Sequence, residues 1–244
     1  MIKYILLFLF TINIFASEKL SILVPLYSHP SKWIEFEEQF KIIKNKQIPT
    51  YAIINPHNGP GEKADKSYIN GIKYLKKFNI NIIGYVHTEY SKRNIHLIKE
   101  DIYKWSDFYF DYGMDGIFFD ETDTNENSFS FYDDLLKYTR NLDFKFNILN
   151  AGYTTSNKYI DSKIANVVIT YEQAYINWIN KFPSITNTSN DFTKLSLLVH
   201  TMKKNDFQNT INLAKKRGFE YIYLTQDTLP NPWDDFELEL LKNF

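Results

Sequence analysis

Short apolar runs alternate along this chain with stretches in which apolar residues recur every three or four positions. Leu20 to Tyr27 is the first run, stopped by Ser28-His29-Pro30, and it reads as a buried strand. Ser31 is then placed to cap a helix whose inner face carries Trp33, Phe36, Phe40 and Ile43. The unit repeats: Thr50 to Asn55 is a strand that ends in a Gly- and Pro-rich loop through Gly61, and Tyr68 to Phe78 carries helical spacing. Asn81 to Val86 ends at His87-Thr88-Glu89-Tyr90, ahead of a helix through Ile95, Ile98, Ile102 and Trp105. Asp115 to Phe119 ends at Asp120-Glu121, ahead of a helix over Phe131 to Tyr138. Lys145 to Leu149 ends at Asn150-Ala151-Gly152, with a short helix near Tyr159. Asn166 to Tyr171 ends at Glu172, before a helix whose inner positions are Ile176 and Ile179. Leu195 to Val199 ends at His200, before a helix from Asp206 to Lys216 closed by Gly218; Tyr221 to Leu224 ends at Thr225-Gln226-Asp227, before a last helix over Asp234 to Leu241.

Eight strand-then-helix units fit an α/β fold of the (β/α)8, or TIM-barrel, type in a single domain. An open doubly wound sheet would leave so many strands hard to place in one domain. The runs are continuously apolar rather than alternating, which suits parallel strands covered on both faces. Phe182 to Thr193, rich in Ser, Thr and Asn, reads as a long loop over the barrel mouth.

In such a barrel the C-terminal strand ends meet on one face, where active sites are built. The residues expected there are Tyr27, Asn55, His87, Asp120 with Glu121, Asn150, Glu172, His200 and Asp227, and every one is polar or carries a polar tip. Polarity at a strand exit is common, but carboxylates after the fourth, sixth and eighth strands make a site. Two carboxylates across a cleft serve glycoside hydrolysis, one acting on the anomeric carbon and one protonating the leaving oxygen. Asp120 and Glu121 are chain neighbours, whose side chains in extended backbone point to opposite faces. The partner is therefore sought on another strand, and Glu172 is the best placed; as the first residue of a helix it would have a plainer explanation. The aromatic residues at or near strand ends, Tyr27, Tyr85, Tyr90, Tyr171 and Trp233, suit the apolar faces of sugar rings, although Tyr85, inside its strand, is as readily core.

Composition narrows the partners. A net charge of −1 over 244 residues offers no basic stripe for nucleic acid. With no cysteine in the chain, thiol nucleophiles and thiolate metal sites are excluded. His87, Asp120 and His200 could form a metal site for a deacetylase, but paired-His spacing is missing and no metal or other cofactor is expected. Residues 1–16 read as a secretory leader: Lys3, an apolar run over Tyr4 to Phe15, then Ala16-Ser17. The expectation is a leader over 1–16 and a barrel over 17–244, secreted or periplasmic, monomeric and without stable membrane insertion after cleavage.

Taken together, several ordered motifs resemble the spherulin-4 family. They are Leu23-Val24-Pro25-Leu26-Tyr27, Ile53-Ile54-Asn55-Pro56 with Gly59-Pro60-Gly61, Gly84-Tyr85-Val86-His87-Thr88 with Tyr90, and Asp115-Gly116-Ile117-Phe118-Phe119-Asp120-Glu121. Asn150-Ala151-Gly152, Val168-Ile169-Thr170-Tyr171-Glu172, Leu198-Val199-His200 and Asn231-Pro232-Trp233 extend the likeness over the chain that follows the leader. The resemblance implies a barrel glycoside hydrolase acting on an exopolysaccharide of α-1,4-linked N-acetylgalactosamine and galactosamine, as in biofilm matrices. It implies Asp120 as nucleophile, Glu172 as general acid/base and Glu121 as an essential neighbour. Tyr27, His29, Asn55, Tyr85, His87, Tyr90, Asn150, Tyr171, His200, Asp227 and Trp233 would bind the sugar chain. Endo action and retention are expected, the latter with the Asp120 and Glu172 carboxyls roughly 5 to 6 Å apart. The chain departs from the family at Ala151, where proline is usual, and at Thr201-Met202, where glycine follows the histidine; both changes fall in loops that touch substrate. A glycan-binding barrel without turnover is the alternative.

Overall fold

Eight parallel strands close into a barrel in sequence order, each pairing with the next and the eighth with the first. The computed structural model describes residues 20–180 and 194–244. The expected leader over 1–16 and the expected loop over 182–193 lie outside them. The strands are β1 (Ser21–Leu26), β2 (Thr50–Ile54), β3 (Asn81–His87), β4 (Met114–Asp120), β5 (Phe146–Asn150), β6 (Val167–Ala174), β7 (Lys194–His200) and β8 (Phe219–Leu224). Helices α1 (Glu37–Lys46), α2 (Lys66–Lys76), α3 (Ile95–Tyr109), α4 (Phe129–Asn141), α5 (Asn157–Asp161), α6 (Tyr175–Asn180), α7 (Phe207–Lys216) and α8 (Leu238–Lys242) follow them one by one. No helix among the described residues is long and apolar enough to cross a membrane.

The apolar runs become strands because both faces are covered, by the helices outside and by side chains filling the barrel within. At the N-terminal end of the barrel three rings from different strands fill the interior. Tyr51 stacks on Phe146 with centroids 4.3 Å apart, and Tyr221 meets them at 5.4 and 5.9 Å. Beside them Gly116 faces Phe146 across β4 and β5, and any Cβ there would overlap the Phe146 carbonyl. The opposite end carries the polar groups.

Local chemistry sets where the helices begin. Asp65 accepts from the Ser67 amide at 2.6 Å to start α2, and Asn94 accepts from the His96 amide at 2.9 Å to start α3. Three expectations change at this level. The first helical turn, a 3-10 segment over Pro30–Phe36, is capped not by Ser31 but by His29, whose ring accepts from the Ser31 amide at 3.2 Å. Pro30 suits the next position because its ring presets the helical φ and its missing N–H is not needed there. On α6, Ile176 and Ile179 face solvent and Trp178 is the buried residue. In the last segment α8 spans only Leu238–Lys242, because Asp234 to Glu237 form a connection that caps it through Glu237.

Candidate active site

Asp120, Asn150 and Glu172 come from three consecutive strands and meet at the polar end of the barrel. Asp120 closes β4 and Asn150 closes β5. Glu172 is not the start of a helix: β6 continues to Ala174, past an irregularity between Ile169 and Tyr171. Its backbone N–H donates to the Gly152 carbonyl at 3.0 Å, which ties the end of β5 to the acid on β6.

The amide nitrogen of Asn150 donates to both carboxylates, to Asp120 Oδ1 at 2.8 Å and to Glu172 Oε2 at 2.7 Å. Those two oxygens therefore lie no farther apart than the two bonds laid end to end, 5.5 Å. Asp120 accepts two further donors, the Glu121 amide at 2.9 Å on Oδ1 and the Tyr85 hydroxyl at 2.8 Å on Oδ2. Three donors converging from three directions fix the orientation of that carboxylate.

Glu172 sits in a different environment. Burial first, and then the negative charge of Asp120, raise its pKa to about 7, against the pull of hydrogen bonds from Asn150 and Trp233. One glutamate with a buried carboxyl thus holds its proton to neutral pH beside an oriented aspartate. That arrangement sets a carboxyl able to give up a proton near neutral pH a few ångströms from an oriented carboxylate oxygen.

Glu121 corrects the expectation that its side chain turns away from Asp120. The chain leaves β4 at Asp120, and Glu121 takes a left-handed φ of 54° instead of continuing extended. Both residues consequently line one cleft of about 470 Å³. Glu121 Oε2 accepts from the Glu89 amide at 3.1 Å.

Tyr90, Asn150, His200 and Trp233 also line the cleft. His200 Nδ1 pairs with the Thr201 hydroxyl at 2.8 Å, its ring meets Trp233 edge-on at 5.9 Å, and burial lowers its pKa. Tyr85 reaches Asp120 through its hydroxyl. Burial and the Asp120 charge push that hydroxyl's pKa far above its ordinary value, so it stays a donor. Tyr27 packs edge-on against Tyr85 at 5.7 Å and supports it from the side.

Five of the expected contacts are placed elsewhere. His29 caps its helical turn. Asn55 accepts from the Gly59 amide at 2.9 Å and shapes the β2–α2 loop. His87 turns to Asn58 and lines a separate depression with Arg93 and Asp101, so His87, Asp120 and His200 do not converge as a metal-binding trio. Tyr171 points outward onto Trp178, 5.3 Å away, because it precedes the inward-facing Glu172 on the same strand. Asp227 lies among Asp234, Asp235 and Glu237, and burial, then those charges, raise its pKa. Among the described residues no group of three or more His, Asp or Glu is arranged to hold a metal ion.

Ala151, Gly152, Tyr153, Gln173, Leu229 and Pro232, none of them among the residues expected to bind sugar, complete the lining. Gly152 and Tyr153 stand just beyond Asn150, so extending each strand end by three residues would have found them. Leu229 and Pro232 sit far along the β8–α8 loop and leave no such signal.

Comparison with known proteins agrees with this architecture. The model of the spherulation-specific family 4 matches residues 21–244. Spherulin-4 of Physarum polycephalum is 28% identical over 221 residues, covering 86% of this chain; the chain spans 64% of that relative's length. The crystal structure of Aspergillus clavatus Sph3 in complex with GalNAc superposes with a TM-score of 0.81 at 21% identity, covering 93% of this chain and 96% of that one. At that identity the likeness concerns the fold.

Proposed function

The chain belongs to the spherulation-specific family 4, and on that ground we propose that it is a retaining glycoside hydrolase in which Asp120 is the nucleophile and Glu172 the general acid/base. The observation that carries this reading is the carboxyl pair bridged by Asn150, its two bonded oxygens at most 5.5 Å apart, with the acid held to about pH 7. Carboxyl groups about 5 to 5.5 Å apart suit double displacement, whereas inversion needs room for a water between them.

In the first step an Asp120 oxygen attacks the anomeric carbon while the glycosidic oxygen takes the Glu172 proton and leaves with the electrons of the broken C–O bond. Asp120 is then an ester of the sugar. In the second step the Glu172 carboxylate takes a proton from water, the water oxygen attacks the same carbon and Asp120 departs as carboxylate. Tyr85 and Asn150 keep the attacking oxygen aimed, and Glu121 lies beside it as a further acceptor for sugar hydroxyls or a sugar ammonium.

The substrate we propose is an amino-sugar polysaccharide with α-1,4-linked N-acetylgalactosamine and galactosamine, cut internally. Support comes from the family, from the GalNAc carried by the Aspergillus clavatus relative, and from a described lining with three carboxylates and neither lysine nor arginine. Such a cleft favours uncharged or cationic sugars over uronates. The leader reading adds action outside the cytoplasm, which N-terminal sequencing of the exported protein would check, with a start after Ala16 expected.

The test is product analysis on a panel of amino-sugar polysaccharides. Released oligosaccharides that vanish in Asp120→Asn support the proposal; binding with no product would assign a glycan-binding barrel instead.

A further inference from the structure

Two tyrosines on the rim of the cleft are exposed far beyond what packing would leave. Tyr90 is 54% and Tyr153 64% exposed, and both line the cleft that holds Asp120 and Glu172. They stand on the loops after β3 and β5, on either side of the loop that carries Glu121. Burial, then the charges of Glu121, Asp120 and Glu172, and last Tyr153 push the Tyr90 hydroxyl's pKa up, so these four groups all lie within electrostatic reach of Tyr90.

The backbone is held at a cost to present these rings. Glu89, Tyr90 and Ser91 are three successive non-glycine residues with φ of 50°, 53° and 66°. Left-handed backbone costs on the order of 1–2 kcal/mol per such residue. The turn persists because it is pinned: the Tyr90 amide donates to the Glu121 carbonyl at 2.9 Å, and the Ser91 and Ser128 hydroxyls pair at 2.8 Å. These bonds use the backbone and the neighbouring residues and leave the Tyr90 ring facing the cleft. Tyr153 follows Gly152, whose φ of 64° suits glycine and whose carbonyl accepts from the Glu172 amide at 3.0 Å. Both rings are thus registered to the carboxylate pair through short backbone links.

We propose that Tyr90 and Tyr153 form a sugar-stacking subsite beside the carboxylates, holding a second pyranose unit of a glycan chain while its neighbour lies over Asp120 and Glu172. A pyranose presents an apolar C–H face that a flat ring covers, with its hydroxyls at the edge. The subsite rests on the glycoside hydrolase reading for what lies over the carboxylates, and it makes the site a reader of chains rather than single sugars.

The experiment measures binding in the Asp120→Asn background, which removes turnover, by affinity electrophoresis or calorimetry with α-1,4-linked N-acetylgalactosamine oligosaccharides of increasing length. Affinity is expected to rise once the chain is long enough to reach the rim. Tyr153→Ala and Tyr90→Ala should each weaken binding of long chains roughly three- to tenfold and leave the shortest chain unaffected. Tyr153→Phe should bind like the parent, since stacking needs the ring and not the hydroxyl. Tyr103→Ala, which removes another exposed ring away from the cleft, should change nothing. Alanine variants that bind long chains like the parent, or that lose short and long chains equally, overturn the subsite. Failure of the hydrolase reading shows separately, as an absence of products from the unmutated protein, and leaves the binding comparison intact.

Discussion

Replacing Glu172 with glutamine should favour the folded protein increasingly as pH rises past the value at which an ordinary glutamate ionises. In the folded chain Glu172 titrates at about 7, whereas an ordinary glutamate titrates at 4.5. Between those values the folded state keeps a proton that the unfolded chain has released, so unfolding free energy falls as pH rises. The Glu172 contribution is undiminished below about pH 4.5, is lost progressively to about pH 7 and stays lost above it. One pKa unit is worth about 1.4 kcal/mol. Going from about pH 5 to about pH 9, the advantage of Glu172→Gln over the parent should therefore grow by about 2–3 kcal/mol. For a domain of this size that is roughly 5–10 °C in Tm. Any cost of turning an amide NH2 toward Asn150 or Trp233 is independent of pH and cancels in the comparison. Urea unfolding of both proteins at the two pH values measures it. An advantage that is equal at the two pH values, or that shrinks toward alkaline pH, would refute a buried, proton-holding glutamate at this position. Asp120→Asn should narrow the same gap only in part, because burial outweighs the Asp120 charge in raising Glu172.

Three further substitutions probe the site and the barrel. Asn150→Ala removes the bridge between the carboxylates and should lower kcat about a hundredfold; it should also move the basic limb of the pH–rate profile upward, because the Asn150 bond pulls the Glu172 pKa down. A pH–rate profile with an unmoved limb would contradict the bridge. Tyr85→Phe removes the hydroxyl that donates to Asp120 at 2.8 Å and should lower kcat tenfold or somewhat more, with Tm nearly unchanged because the ring keeps its contacts with Tyr27 and Phe118; unaltered turnover would remove Tyr85 from the site. Gly116→Ala forces β4 away from the Phe146 carbonyl and should cost more than about 3 kcal/mol, or prevent folding; a thermal melt like the parent's would disprove that close approach.

The strands could be read from the chain because their physics is local in sequence. A strand buried on both faces must be apolar throughout, and eight such runs closed by polar residues mark the barrel and the end at which chemistry collects. The helices were read less well where their inner faces depend on what lies beneath. Ile176 and Ile179 have helical spacing, yet the neighbouring strands offer their space to Trp178, which meets Tyr171 and Phe219. His29 replaced Ser31 as a cap because Pro30 fixes where the turn begins.

Within the site, the placement of Asp120 and Glu172 at one end of the barrel was legible, and the groups that hold them in relation to each other were not. Sequence determined that two carboxylates would sit at the C-terminal ends of β4 and β6, with one strand between them, because burial dictates the strands and the strands carry those residues to one end. Tertiary structure alone decided that an asparagine between them would bind both, that a left-handed turn would bring Glu121 into the same cleft, and that desolvation would hold Glu172 to about 7. It also decided that His87 would turn away to Asn58 while Tyr153 would come forward. The division follows from range: apolar burial is written residue by residue along the chain, whereas a shared hydrogen bond, a pKa and a cleft exist only between segments that the sequence keeps far apart.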